Sequence, residues 1–164
     1  MSPAKNIKPA SGKLGVLISG LNGAVSATFI AGTLAVRRDL ASPIGSLTQL
    51  ATIRLGPRHD NRFPLIKEFV PLAGLGSLVF GGWDIRDEDC YASARQVKVL
   101  EEKDLVGVRD ELEHIRPMPG VFDPRFMTRL PGTWVKAGQS KYDLMEQLRA
   151  DIQAFRTSRQ VDRL

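Results

Sequence analysis

Cysteine and histidine are scarce in this sequence: Cys90 is the single cysteine, and His59 and His114 are the two histidines. One cysteine excludes a disulfide framework and a cysteine-based zinc site. The wide separation of the two histidines favours no metal site either. We therefore expect no metal and a reducing, cytoplasmic setting. No histidine lies near Cys90 in the sequence, so we interpret this residue as a small packing residue rather than a nucleophile.

Aromatic residues and net charge are also limited, at 7% and +5 over 164 residues. The basic residues concentrate in residues 54–67 and 149–163, where acidic residues interleave with them. Such a pattern is typical of a solvated surface and does not favour a nucleic-acid partner. The hydrophobic fraction of 43% is enough for the core of one globular domain.

The longest stretch without formal charge covers residues 14–36. It is long enough to span a bilayer, and Lys5, Lys8 and Lys13 before it could form the positive region of a signal peptide. Glycines and the polar Asn22 cluster in its middle, however, where a polar side chain is costly for a membrane helix, and the sequence that follows does not look like an extracellular chain. We therefore expect neither membrane insertion nor secretion.

The most informative segment is KLGVLISGLNGAVSAT, residues 13–28. A β-branched strand near Leu14–Ser19 meets a glycine turn, and a small-residue helix follows that ends around Arg37-Arg38. Strand, glycine turn and helix open a dinucleotide-binding βαβ unit, in which turn amides and the helix N-terminus approach a pyrophosphate. The pattern GxGxxG is not met, because Asn22 stands where the second glycine would be. An ordinary tight turn between strand and helix remains the alternative.

A carboxylate follows the second expected strand. Residues 77–80 predict a buried strand, and Gly81-Gly82 predict a turn that presents Trp83 and Asp84. A carboxylate just beyond a strand's carboxyl end lies where open α/β sheets bind ligands. The alternative is that Asp84 caps the helix expected to begin near Asp87. Asp39 has the spacing of a ribose-binding acid, but it directly follows the first helix and we reject it.

Residues 42–77 are broken by prolines and glycines into short pieces, and the insertion is long enough to be functional.

A last helix is expected after the cap at Ser140, and its apolar face is expected to pack on the sheet. These positions are Leu144, Met145, Leu148, Ile152 and Phe155. No strand follows this helix, which predicts a sheet cut short. We expect a flexible tail over residues 1–12 and a partial α/β, Rossmann-like domain over 13–164, with a mainly parallel sheet and flanking helices.

Several segments in order resemble one family, the inositol-3-phosphate synthases, also called myo-inositol-1-phosphate synthases. The segments are KLGVLISGLNGAVSATFIAG, IGSLTQLATIRLG, NRFPLIKEFVPLA, LVFGGWDI and GVFDPRFMTRLPGTWVK. The resemblance implies an NAD-dependent isomerase of inositol and phospholipid biosynthesis that converts D-glucose 6-phosphate to 1D-myo-inositol 3-phosphate. In such enzymes NAD accepts and returns a hydride around an enolisation and an aldol ring closure, so the cofactor is not consumed.

The resemblance also implies site residues. The cofactor-binding residues it gives are Gly20, Leu21, Asn22, Gly23, Ala24, Val25 and Asp84. Asp84 is expected to contact a ribose hydroxyl, and residues 46–49 and 52–54 to form part of the wall near the cofactor. The catalytic residues of the family are expected beyond Leu164, and its complete members are expected to be homotetramers. The alternative function is a non-catalytic nucleotide-binding remnant or subunit.

Overall fold

A computed structural model describes residues 11–164 of the chain. The tail expected over residues 1–12 falls outside this range except for its last two residues. The strands are β1 (Leu14–Ser19), β2 (Leu78–Asp84) and β3 (Met118–Pro119). The helices are α1 (Ala24–Arg37), α2 (Leu47–Leu50), α3 (Ile66–Phe69), α4 (Cys90–Val97), α5 (Glu102–Leu105), α6 (Arg109–Glu113) and α7 (Lys141–Ser158).

The three strands form one parallel sheet in the order β1–β2–β3 within the described residues. Leu14 pairs with Leu78 at one end of the β1–β2 register, and Ser19 pairs with Trp83 at the other. Parallel strands joined through helices are the arrangement of α/β domains. The expected Rossmann-like fold class is therefore confirmed.

The main core lies on one face of the sheet. Val16 and Ile18 of β1 and Phe80 of β2 point to this face, where they meet the buried residues of α1 and α4. Side chains alternate across a strand, so Gly15 and Gly81 face the opposite side. There the ring of Phe155 from α7 covers both glycines. Helices thus flank both faces of the sheet.

Strand β2 is longer than expected, because Gly81 and Gly82 are part of the strand and not of a turn. That interpretation was wrong for a reason of packing. A Cβ atom on Gly81 would lie 2.5 Å from the Phe155 ring, and one on Gly82 would lie 2.0 Å from the carbonyl oxygen of Ile18. The two glycines allow a ring and a neighbouring backbone to approach the strand closely.

The insertion between α1 and β2 contains only short elements, as its prolines and glycines predict. Helices α2 and α3 have four residues each, and neither buries a residue. Helix α7, in contrast, has 18 residues, but Phe155 is its one buried residue. Its remaining apolar positions are partly or largely exposed, so the expected core face is only partly covered within residues 11–164.

The last residues of the chain return to the sheet. Arg163 forms a parallel bridge with Leu14, and the amide of Gly15 donates to the carbonyl of Arg163 at 2.7 Å. The sequence was expected to contain no strand after α7, and this pairing on the free edge of β1 was missed. Among the described residues, no helix combines the length and the apolar character needed to cross a membrane.

Candidate functional site

The glycine turn after β1 is held by the neighbouring strand. The amides of Gly20 and Leu21 both donate to the carbonyl of Trp83, at 2.8 and 3.0 Å, and the amide of Gly23 donates to the carbonyl of Gly20 at 3.0 Å. Gly20 has a φ of +83°, a conformation that favours glycine. The turn is thereby fixed at the carboxyl end of the sheet, where parallel sheets bind ligands.

Helix α1 begins directly after this turn without a side-chain cap. Gly23 is the N-cap residue, no side chain of the described residues caps the helix, and its first turn holds no acidic residue. Ala24 and Val25 are exposed, with 84% of Val25 accessible. The amides of the first turn have no partner within a helix, and the dipole of 14 residues makes this end partially positive. An anion fits there.

Asn22 does not obstruct this end of the helix, although it replaces a glycine of the fingerprint. It is fully buried, and its Nδ2 donates to the carbonyl of Glu88 at 2.9 Å and to that of Arg86 at 3.3 Å. Its own carbonyl accepts from Ser93 Oγ at 2.7 Å. Asn22 and the equally buried Leu21 therefore support the turn from behind.

Asp84 is the last residue of β2 and is buried, with 8% of its surface accessible. Its Oδ2 accepts from the amide of Asn22 at 2.8 Å, and its Oδ1 accepts from the amides of Ile85 at 2.8 Å and Arg86 at 3.2 Å. It does not cap the following helix. Asp89 caps α4 instead, by accepting from the amide of Ala92, so the alternative of Asp84 as helix cap is wrong.

A cavity of about 820 Å³ opens between the glycine turn and the segment after β3. This volume lies within the usual range of about 300–1,000 Å³ for ligand pockets. The strand ends contribute polar groups and the segment after β3 contributes mainly apolar side chains. The lining residues are Ser19, Gly20, Gly23, Trp83, Asp84, Ile85, Arg86, Gly120, Val121, Phe122, Asp123, Met127, Leu130, Pro131 and Leu148.

Of the expected cofactor residues, Gly20, Gly23 and Asp84 line the cavity. Ala24 and Val25 follow at the exposed start of α1, while Leu21 and Asn22 lie behind the turn. Residues 46–49 and 52–54 of the insertion do not line it. They form short, largely exposed pieces instead.

The cavity wall at residues 120–131 was missed by sequence reasoning. These residues contain no glycine fingerprint and no helical or strand period, so only their place in the motif GVFDPRFMTRLPGTWVK could have indicated a role. Asp123 is the acidic group of this wall. Hydrogen bonds from the side chain and backbone of Arg125 lower the pKa of Asp123 to about 2, so it is ionised at neutral pH. The pKa of the Cys90 thiol is shifted in the opposite direction, because burial raises it to about 12.

The chain matches a sequence family described as myo-inositol-1-phosphate synthase over residues 14–164, and the family's name designates an NAD-binding domain. This match covers nearly the whole chain. The protein belongs to the myo-inositol-1-phosphate synthase family.

Relatives within this family agree with the match. The chain is 50% identical over 160 residues to inositol-3-phosphate synthase 1 of Bacteroides thetaiotaomicron, a match that covers 98% of this chain and 37% of that protein. It is 33% identical to the probable inositol 3-phosphate synthase isozyme 3 of Arabidopsis thaliana, over 93% of this chain and 32% of that protein.

A solved structure also superimposes on this member of the synthase family. The crystal structure of inositol-3-phosphate synthase from Caenorhabditis elegans matches with a TM-score of 0.83 at 27% identity. The match covers 94% of this chain and 33% of that chain. The chain thus spans about a third of the length of the curated and solved synthases that it matches.

Proposed function

We propose that this chain binds NAD in the cavity at the carboxyl end of β1 and β2, as the cofactor-binding part of an inositol-3-phosphate synthase. The observation that carries the proposal is the uncapped N-terminus of α1 beside a glycine turn, next to the buried carboxylate of Asp84. The family match supports an NAD-binding region in general, and the residue assignments are our own inference.

The diphosphate of the cofactor is assigned to the amides at the start of α1. The residues that would approach it are Gly20, Gly23, Ala24 and Val25. Gly23 carries no Cβ atom, so a phosphate can approach its backbone, and the first-turn amides supply hydrogen bonds together with the helix dipole. Leu21 and Asn22 are assigned to the support of the turn, because both are fully buried.

The ribose is assigned to Asp84. A carboxylate offers about four acceptor positions, and three backbone amides already donate to this one. Asp84 also lines the cavity, so the remaining position can accept a hydrogen bond from a ribose hydroxyl. The same carboxylate would therefore hold both the turn and the cofactor.

We extend the proposal to the reaction that the resemblance implies, the isomerisation of D-glucose 6-phosphate to 1D-myo-inositol 3-phosphate. When bound, NAD would accept a hydride from the sugar and return it. The residues assigned here bind and orient the cofactor, and none is assigned to proton transfer at the sugar. We propose, on the same resemblance, a cytoplasmic homotetramer for a complete synthase.

Isothermal titration of the chain with NAD⁺ tests the cofactor site. Gly23→Ala places a methyl group 3.2 Å from the carbonyl of Gly20 and at the expected phosphate position. We expect about tenfold weaker binding, the equivalent of about 1.4 kcal/mol. Gly32→Ala is the matched control, because it makes the same change in α1 where nothing lies within 4 Å. Its affinity should equal that of the wild type.

Two results would contradict the proposal. One is the absence of NAD⁺ binding by the folded chain at millimolar concentration, and the other is equal affinity of both glycine variants. Added glucose 6-phosphate then separates the two candidate functions. Formation of inositol phosphate would exclude a passive nucleotide-binding module, whereas NAD⁺ binding without this product would favour one.

A further inference from the structure

A charged network lies behind the cavity wall and has no role in the cofactor contacts proposed above. Asp151 of α7 accepts from the indole Nε1 of Trp83 at 2.7 Å. The same oxygen, Oδ2, lies 2.8 Å from the ammonium nitrogen of Lys136. The side chain of Lys136 is only 9% exposed and that of Asp151 is 21% exposed. One carboxylate oxygen thus joins a strand, a helix and the segment between β3 and α7.

This network is connected to the cavity at two points. Trp83 is one of the residues that line the cavity, and its carbonyl accepts from the amides of Gly20 and Leu21 in the glycine turn. The amide of Lys136 donates to the carbonyl of Gly120 at 2.8 Å, and Gly120 lines the cavity as well. Displacement of Trp83 or of Lys136 would therefore move a wall of the cavity.

The network is not explained by stability alone. A buried ion pair is weak evidence for stabilisation, because the cost of desolvating two charges offsets their attraction. Apolar residues of similar volume often replace such a pair without loss of stability. A partly buried indole, in contrast, needs a fixed partner for its N–H group if its ring is to keep one orientation, and Asp151 is that partner for Trp83.

We propose that Asp151 is a positioning residue for cofactor binding. Its carboxylate fixes the indole of Trp83 as a wall of the cavity, and Lys136 compensates the charge of Asp151 and couples it to Gly120. Neither Asp151 nor Lys136 lines the cavity, so both act through Trp83 and Gly120. This inference rests on the proposed function, since it assigns residues that support the same cofactor site.

The test separates the positioning of Trp83 from the stability of the fold. Asp151→Ala leaves the Lys136 ammonium buried without its carboxylate, so this variant is expected to lose both stability and NAD⁺ affinity. The double variant Lys136→Met/Asp151→Leu removes both charges at similar volume. We expect its melting temperature to recover towards that of the wild type, while its NAD⁺ affinity stays about tenfold weaker.

A matched control lies on the same helix. Glu146→Gln removes the surface ion pair between Glu146 and Arg149, whose atoms are 3.6 Å apart. It should leave the NAD⁺ affinity and the melting temperature unchanged. A second readout is the fluorescence anisotropy of Trp83 in a Trp134→Phe background, where Trp83 is the single tryptophan. Anisotropy should fall in the double variant, since the indole has lost its anchor.

The outcomes distinguish this inference from the proposed function. If the double variant recovers both stability and NAD⁺ affinity, the network is merely structural and the inference is wrong, while the cofactor site stands. Unchanged Trp83 anisotropy in a double variant would overturn it as well. If the wild-type chain binds no NAD⁺, the proposed function itself fails, and the positioning role fails with it.

Discussion

Replacement of Asp84 by alanine should destabilise the fold, apart from any effect on cofactor binding. The substitution removes the acceptor of three backbone amides, those of Asn22, Ile85 and Arg86. Asn22 is fully buried, so its amide would be left without water or protein as partner, at a cost of about 1–3 kcal/mol. The other two amides lie nearer the surface and add less. We expect a total loss of about 2–4 kcal/mol in the free energy of unfolding.

Urea unfolding followed by circular dichroism measures this loss without any ligand. Asp87→Ala is the matched control, because Asp87 is exposed and lies three residues further along the chain. Its unfolding free energy should change by less than about 0.5 kcal/mol. If Asp84→Ala is as stable as Asp87→Ala, the carboxylate does not hold the glycine turn, and our account of the site is refuted.

Three further changes test the packing around the site. Gly82→Ala would place a Cβ atom 2.0 Å from the carbonyl oxygen of Ile18, so we expect a loss of about 3 kcal/mol or more in unfolding free energy. Gly74→Ala is the control, because nothing lies within 4 Å of its added Cβ atom, and it should lose far less. Equal losses in the two variants would contradict the close packing of β1 and β2. Asp89→Ala removes the cap of α4 and should cost about 1 kcal/mol by urea unfolding; an unchanged midpoint would show that the cap contributes nothing. Burial raises the pKa of the Cys90 thiol from 9.0 to about 12. As the pH rises, the thiol therefore ionises in the unfolded chain before it ionises in the folded chain. Its contribution to stability is full below pH 9.0 and is lost as the pH rises to about 12. The wild type should therefore lose more stability over that range than Cys90→Ala, and parallel losses would contradict the burial of the thiol.

The start of the fold follows from local sequence. Strand β1 has the expected bounds, Leu14–Ser19, and α1 ends at Arg37, because β-branched periodicity, a glycine turn and terminal basic residues all agree there. In β2, the structure at Gly81 and Gly82 does not follow from local sequence. Their local preference is for a turn, but the Phe155 ring and the β1 backbone require residues without side chains. Tertiary contact overrides local propensity at these two positions.

The site was predictable only in part, for the same reason. Gly20, Gly23 and Asp84 sit next to recognisable strand ends, and these three line the cavity. The carboxylate of Asp151 reaches Trp83 over 68 positions of sequence, and no local pattern marks such a pair. The fit of Asn22 in place of a glycine is equally non-local, because it depends on the carbonyl groups of residues 86 and 88.

The central claim is that the amides at the start of α1 bind the diphosphate of NAD. The most direct measurement is a ¹⁵N–¹H correlation spectrum of the chain during titration with NAD⁺. We expect the largest saturable shifts at the amides of Ala24 and Val25 in the first turn of α1, and further shifts at Gly20 and Gly23, whose amides donate within the turn beside the expected phosphate. The exposed residues of α2 should shift less. Saturable binding that leaves these four amides unchanged would contradict the account.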